Sequence, residues 1–528
     1  MQRVMSQEAR SRYLCLPVRR EGALAKAEIR VDGQVRRSFD VPLTNGQPDF
    51  WVGADLGAFQ GRQVELWVDD ATLANAPVRQ ADAIPGTDDL YGERYRPQFH
   101  FTAARGWLND PNGLVAYGGT YYLFFQHDPY ANHGSGRNKH WGLATSHDLV
   151  HWREVGDALY PDALGACWSG SAVVDWRNSS GLGDGVTPPL VCAYTSAGEP
   201  FTQSLAFSAD GGGTWQPYDG NPVVQHLRAE NRDPKVIWHE PTECWIMALY
   251  LDGNAYALLR SHDLRRWELV QELTLEGATE CPDFFPLALD GDPEALQWVF
   301  WGANGTYLVG SYDGERFTPT QAPACLAGSG DAYAAQTWSD IPVEDGRRIQ
   351  IAWLRGDLPG MPFTQQLTFP HTLTLQSTER GMRLAAEPVG EIAGLYASTH
   401  RWDELAVSAG RDPLAGVEGD LLDVQARVLV PEGSGFDLLV GGVLVRYDGE
   451  RETLHCDGRT CCCPRRDGVV DLRVLVDRAS IELYGAGGLA VMPLRVLTEP
   501  AGRTLRAIPR GDEMVFRSLE VRTLRSIW

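Results

Sequence analysis

Apolar and aromatic residues along this chain come in short runs broken by Gly, Asp, Asn and Pro, and sustained helical spacing is scarce. Five of the runs are predominantly apolar and read as buried strands: YYLFFQ from Tyr121, LVCAYTS from Leu190, WIMALY from Trp245, WVFWGA from Trp298 and IQIAWL from Ile349. They start 69, 55, 53 and 51 residues apart. Downstream of the first four comes a second recurring feature, Ser-x-Asp followed by an aromatic residue. It stands at Ser146–Asp148 with Trp152, Ser208–Asp210 with Trp215 and Ser261–Asp263 with Trp267, and in degenerate form at Ser311–Asp313 with Phe317. A period near 50 residues with several strands in each unit predicts propeller blades, five of them, over roughly residues 96–380. A sandwich would not repeat so evenly.

The flanks differ: alternating strands precede the repeats and a strand-rich segment follows them. AEIRVDG, RRSFDVPL and QVELWVDD predict a small β module before the repeats. DLLDVQARVLV, GFDLLVGGVLVRYDG, VVDLRVLVDRASIELYG and LAVMPLRVL predict a β-sandwich after them. The expected organisation is therefore all-β: an N-terminal module over residues 1–92, a five-bladed β-propeller over 93–385 and a C-terminal sandwich over 390–528.

Composition narrows the partners. Lys and Arg number 47 against 69 Asp and Glu, a formal net charge of −22. That sign disfavours nucleic acid and anionic membrane surfaces, which reward clustered cations. No apolar run is long enough to span a bilayer. The first twenty residues, MQRVMSQEARSRYLCLPVRR, lack the apolar core and cleavage site of a secretory signal, so a cytoplasmic location is expected. The ten cysteines do not make a disulfide framework. Cys456 and Cys461–Cys463 lack zinc-knuckle spacing and read as free thiols in a turn, with no metal or cofactor expected.

Chemistry concentrates where the first strand of each blade would open near the central axis. Those openings are Asn109-Asp110-Pro111-Asn112-Gly113, Trp168-Ser169-Gly170-Ser171, Arg232-Asp233-Pro234, Glu280-Cys281-Pro282-Asp283 and Asp331-Ala332-Tyr333. Four of the five bring carboxylates toward one end. An acidic residue before Pro is alone a common turn former, but several in one funnel would repel one another, a cost usually tolerated for catalysis. Paired carboxylates are the apparatus of glycoside hydrolysis. Trp107, Trp141, Trp168, Trp301 and Trp353 lie near these openings; each reads as core packing or as a surface for the apolar face of a sugar.

In order along the chain, RPQFHFTAARGWLNDPNGLVAYGGTYYLFFQHDP, HWGLATSHDLVHW, WSGSAVVDW, NRDPKV, ECPDFF and YAAQTW resemble glycoside hydrolase family 32, which contains invertases, levanases, inulinases and fructosyltransferases. The resemblance is dense over about 96–380 and extends through VLVDRASIELY into the C-terminal segment. It implies a five-bladed propeller with a β-sandwich. It further implies Asp110 as the nucleophile, Glu280 as the general acid/base and Asp233 as the stabiliser of the fructosyl hydroxyls. Asn109, Gln126, Trp141, Trp168, Ser169, Arg232, Tyr333 and Trp353 would contact substrate. The implied reaction is a retaining double displacement by an exo-acting β-fructosidase on levan, inulin or fructo-oligosaccharides. It needs the nucleophile and acid carboxyls about 5 Å apart. A fructosyltransferase making difructose anhydride or longer chains, and a catalytically silent fructan-binding protein, are the alternative readings.

Two features depart from the family pattern. Gly136 stands where a Trp is common before HWG, and Leu143 where a His is common after it. The space this leaves is expected to be open, or filled by the loop Asn132–Lys139 with His133 or Arg137 reaching inward, and the loop is expected to set linkage preference. The N-terminal module lies outside the minimal family core. It reads as a packing or homo-oligomerisation element before it reads as a polysaccharide-binding one.

Overall fold

The computed structural model describes residues 1–528 apart from 135, 327–329, 409–413, 415, 498–504 and 512. Among the described residues the only helical elements are short 3-10 turns, the longest being Gly390–Leu395.

Antiparallel four-strand runs occupy the repeat region. Gly106–Tyr117, Thr120–Asp128, His140–Ser146 and Arg153–Leu159 form the first. Ala166–Val174, Leu190–Ala197, Thr202–Ser208 and Gln216–Pro217 form the second, and Arg232–His239, Cys244–Asp252, Ala255–Ser261 and Glu268–Thr274 the third. Asp283–Leu289, Asp292–Trp301, Thr306–Tyr312 and Phe317–Pro319 make the fourth; Ala332–Thr337, Arg348–Leu354, His371–Thr378 and Gly381–Pro388 make the fifth. Each of the five apolar runs lies in the second strand of its group, where neighbours cover both faces. Phe363–Thr364 pairs in parallel with Gly106 and Trp107, so the end of the series is hydrogen-bonded to its start, as a propeller requires. The fourth and fifth groups are not separate sheets, because a parallel bridge from Leu289 to Leu375 merges them into one.

The Ser-x-Asp repeat closes hairpins. Ser146, Ser208 and Ser261 each end the third strand of a group. The Asp two residues on turns its carboxylate back onto the backbone: Asp148 accepts from the amides of Val150 and His151, and Asp263 from those of Arg265 and Arg266. This is an Asx turn, in which the side chain replaces a backbone acceptor.

The C-terminal segment forms a six-stranded and a five-stranded sheet around one apolar core. Cys456, Cys461 and Cys462 lie on the paired strands Thr453–Cys456 and Arg459–Cys462, flanking the turn rather than sitting in it, and all are free thiols. The sandwich meets the propeller through a buried ionic lock. His100 contacts Asp477 at 2.9 Å and Glu482 at 3.2 Å, and all three side chains are fully buried. Asp477 also accepts from the amides of Gln98 and Phe99.

The N-terminal residues fold into a four-stranded and a three-stranded sheet. Their apolar core is completed by Tyr130, a propeller residue whose ring stacks on Phe39 at 4.0 Å. This module is therefore built onto the first group of propeller strands.

Candidate active site

Four of the five first strands are irregular where the chemistry lies. Pairing register shifts between Leu108 and Pro111, between Trp168 and Gly170, between Arg232 and Lys235, and between Tyr333 and Gln336. Regular pleating sends successive side chains to opposite faces. A bulge breaks that alternation and re-aims side chains. Here the bulges enclose Asn109 and Asp110, Ser169, and Asp233. Three site residues besides adopt left-handed backbone, Asp233 at φ 63°, Glu280 at 55° and Cys281 at 37°. Such conformations cost of order 1–3 kcal/mol each and persist where surrounding structure enforces them. Gly113 of the WLNDPNG stretch is needed by packing: at φ 53°, a Cβ there would meet Phe124 at 2.6 Å and Trp141 at 2.8 Å.

These strand openings converge on one cavity of about 170 Å³ lined by Asn109, Asp110, Gln126, Lys139, Trp168, Ser169, Arg232, Asp233, Glu280, Cys281, Tyr333 and Trp353. Asp110 accepts from Ser169 Oγ at 2.5 Å and Asn109 Nδ2 at 3.0 Å, one bond on each oxygen. Burial raises its pKa above the usual carboxylate value, while Ser169, Asn109 and the Lys139 cation pull it back. Asp233 is pushed up to about 7, first by burial and also by the charge of Asp110, against the pull of Arg232. Both oxygens of Glu280 are engaged: Arg232 Nη2 donates at 2.7 Å, and Tyr333 donates its hydroxyl to the other.

Two pocket residues escaped the motif reading. The Cys281 sulfur lies 3.4 Å from Asp233 and 3.6 Å from Asp110, so its one S–H can donate to either, and its amide donates to Asp233 at 3.0 Å. Burial and the two carboxylates push its pKa up, so it stays a thiol. It stands inside the ECPD stretch, where the flanking carboxylates draw attention from it. Lys139 reaches Asn109 Oδ1 with its ammonium. Nothing in the local sequence marks it, since a lysine before a strand is ordinarily a solvated residue.

Several expected residues lie elsewhere. Trp141 is fully buried against Phe124 and Tyr194; it bears on the pocket only by donating its indole N–H to the Trp168 carbonyl at 3.1 Å. Trp301 is core, stacked on Tyr307. Asp283 is buried and paired with Lys235 at 3.3 Å. Asp331 turns away to Arg459 at 2.8 Å. Three carboxylates, not four or more, therefore share the cavity. His133 and Arg137 are exposed, so neither reaches inward; Lys139 does. A Cβ on Gly136 would make ordinary packing contact with the Trp168 ring at 3.6 Å, and the Gly136 carbonyl accepts from the Trp168 indole N–H. Ser135 lies outside the described residues. Leu143 packs into the core with Trp141 and Phe124 and does not line the cavity.

Residues 100–388 match the glycosyl hydrolases family 32 N-terminal domain, and residues 398–523 match the glycosyl hydrolases family 32 C terminal. The chain belongs to glycosyl hydrolase family 32. This family 32 chain is 34% identical to a levanase of Bacillus subtilis (strain 168) over 506 residues, covering 87% of this chain and 74% of that one. It is 28% identical to the extracellular exo-inulinase of Aspergillus niger, covering 83% and 96%. Among solved structures it resembles exo-inulinase from Aspergillus awamori, with a TM-score of 0.75 and 25% identity over 83% of this chain and 100% of that chain. It also resembles β-fructofuranosidase from Schwanniomyces occidentalis complexed with fructosyl-erythritol, with a TM-score of 0.74 and 25% identity over 82% and 98%. Residues 1–99 precede the part matched by the family.

Proposed function

We propose that this protein is a retaining exo-β-fructosidase that removes terminal β-fructofuranosyl units from fructans and fructo-oligosaccharides. The observation carrying this reading is the confinement of Asp110, Asp233 and Glu280 to one small cavity whose other walls are hydrogen-bonding groups and the rings of Trp168, Tyr333 and Trp353. Pockets for larger ligands run to about 300–1,000 Å³, so this one suits a single sugar ring at the end of a chain.

In this account Asp110 attacks the anomeric carbon. Ser169 and Asn109 fix the direction of its two oxygens, which favours a near-attack geometry. Glu280 gives a proton to the departing oxygen, and a fructosyl ester forms on Asp110. Water then enters, Glu280 takes its proton, and the ester is cleaved with net retention. Arg232 and Tyr333 hold Glu280 in place through both changes of protonation. Asp233 grips ring hydroxyls, and a carboxyl that takes up a proton near neutral pH can donate as well as accept there. The levanase and exo-inulinase relatives support hydrolysis over transfer. All three carboxylates are present, which speaks against a silent binder.

The test is product chromatography on levan, inulin, sucrose and kestose. Free fructose from the earliest time points, with slow shortening of the polymer, is the expected result. Internal fragments, difructose anhydride or longer chains as main products contradict it.

A further inference from the structure

The loop before the HWG stretch joins two parts of the molecule that the family resemblance treats separately. Asn138 is fully buried and closes a two-way hydrogen bond with the N-terminal module: the Asp40 amide donates to Asn138 Oδ1 at 2.9 Å, and Asn138 Nδ2 donates to the Asp40 carbonyl at 2.7 Å. The same Nδ2 lies 3.1 Å from a carboxylate oxygen of Asp128. The next residue, Lys139, has its carbonyl fixed by the Cys167 amide at 2.9 Å, one residue before Trp168. Its ammonium lies over the Trp107 ring and donates to Asn109 Oδ1, which also accepts from Trp107 Nε1 at 3.0 Å. With its oxygen held by two donors, the Asn109 amide presents Nδ2 to Asp110.

We propose that Asn138 and Lys139 form a positioning relay by which the N-terminal module sets the nucleophile. The module holds Asn138, Asn138 places Lys139, and the Lys139 ammonium orients Asn109 and supplies the positive charge beside Asp110. The inference rests on the proposed role of Asp110. It makes the module part of the catalytic apparatus, beyond a packing element. Electrostatics agrees with the placement. Burial lowers the Lys139 pKa to about 8, and the carboxylates of Asp110 and Asp128 offset part of that loss, so the side chain is cationic at neutral pH. The charged groups facing Asp110 are Lys139 and, with opposite effect, Glu280 and Asp233, and the neutral Cys281 thiol also touches it. Removing the cation must raise the Asp110 pKa.

The experiment uses the full chain, with kestose as substrate, and variants Lys139→Met, Lys139→Arg, Asn138→Ala and the double Asn138→Ala/Lys139→Met. Lys139→Met is expected to lower kcat about tenfold or more, the scale of a misoriented reacting group, with a smaller change in KM. Its acid limb of kcat/KM should move up by about one pH unit, the low end for losing an adjacent opposite charge. Lys139→Arg should restore the acid limb, which a purely structural role would not. Asn138→Ala should lower kcat in the same direction, and the double variant should be no worse than Lys139→Met, because residues acting through one another are not additive. Should Asn138→Ala fail to fold, the two Lys139 variants decide alone. Lys139→Met with wild-type kcat and an unmoved acid limb overturns the proposal; so does a double variant whose losses multiply. A wild-type protein that releases no fructose would instead defeat the functional reading, so the two failures are distinguishable.

Discussion

Asp233 carries the clearest conflict between folding and function. Its pKa of about 7 stands above the unfolded carboxylate value of 3.8, chiefly because burial penalises its charge. A group raised in this way contributes stability below its unfolded pKa and loses that contribution as pH rises through the folded one. At pH 8 the pocket therefore holds an ionised carboxylate at a cost. Asp233→Asn should melt higher than the wild type at pH 8, by about 2 °C or more, with the gap closing toward pH 4 while activity is lost. Thermal melts across that range check it; a gap that widens on acidification contradicts the assignment. Asp110, Asp233, Glu280, Ser169 and Arg232 were readable as candidates because they open strands at a regular interval. Cys281 and Lys139 were not, because their importance comes from neighbours distant in sequence: Asp110 for the thiol, and Asn109 and the Asp40 backbone for the loop.

At the level of strands and turns, the apolar runs and the Ser-x-Asp repeat were legible because each reports local chemistry: a strand covered on both faces, and a side chain that bonds its own turn. The bulges at Asp110, Ser169 and Asp233 were not, since a bulge is a mismatch between two strands and belongs to neither alone. For the same reason Trp141 and Trp301 were ambiguous, as the face each presents depends on register. The turn motif makes a separate expectation. Asp263 satisfies the amides of Arg265 and Arg266 and does not line the cavity. Asp263→Ala should lower unfolding stability by about 1 kcal/mol in denaturant titration, with kcat unchanged. A comparable loss of activity would mean that the turns communicate with the site.

Across the whole molecule, propeller, sandwich and N-terminal module are joined by buried polar contacts, not by apolar packing alone. His100 between Asp477 and Glu482 is the most exacting of these. Burial alone would lower its pKa, but the hydrogen bonds its ring donates to the two carboxylates, and their charge, prevail and raise it to about 9. The unfolded value is 6.5. The stability from this cation is thus complete below about pH 6.5 and is lost as pH rises through about 9. His100→Gln leaves two buried carboxylates without their cation, a change of the kind that costs about 3–5 kcal/mol. Its melting temperature should be lower at pH 7 and should fall less steeply than that of the wild type between pH 7 and 9. Parallel slopes for the two proteins would show that His100 is neutral in the folded state.

The central claim is that Asp110 becomes covalently fructosylated while Glu280 handles the proton. Glu280→Ala removes the acid/base but leaves the nucleophile, so a substrate with an activated aryl leaving group should still load the enzyme, and the ester should then hydrolyse slowly. Acid quenching, proteolysis and mass spectrometry should find one added anhydrofructosyl unit on the peptide that carries Asp110 and on no other. A fructosyl adduct on a different peptide, or turnover of the same substrate with inverted product and no adduct, would contradict the account.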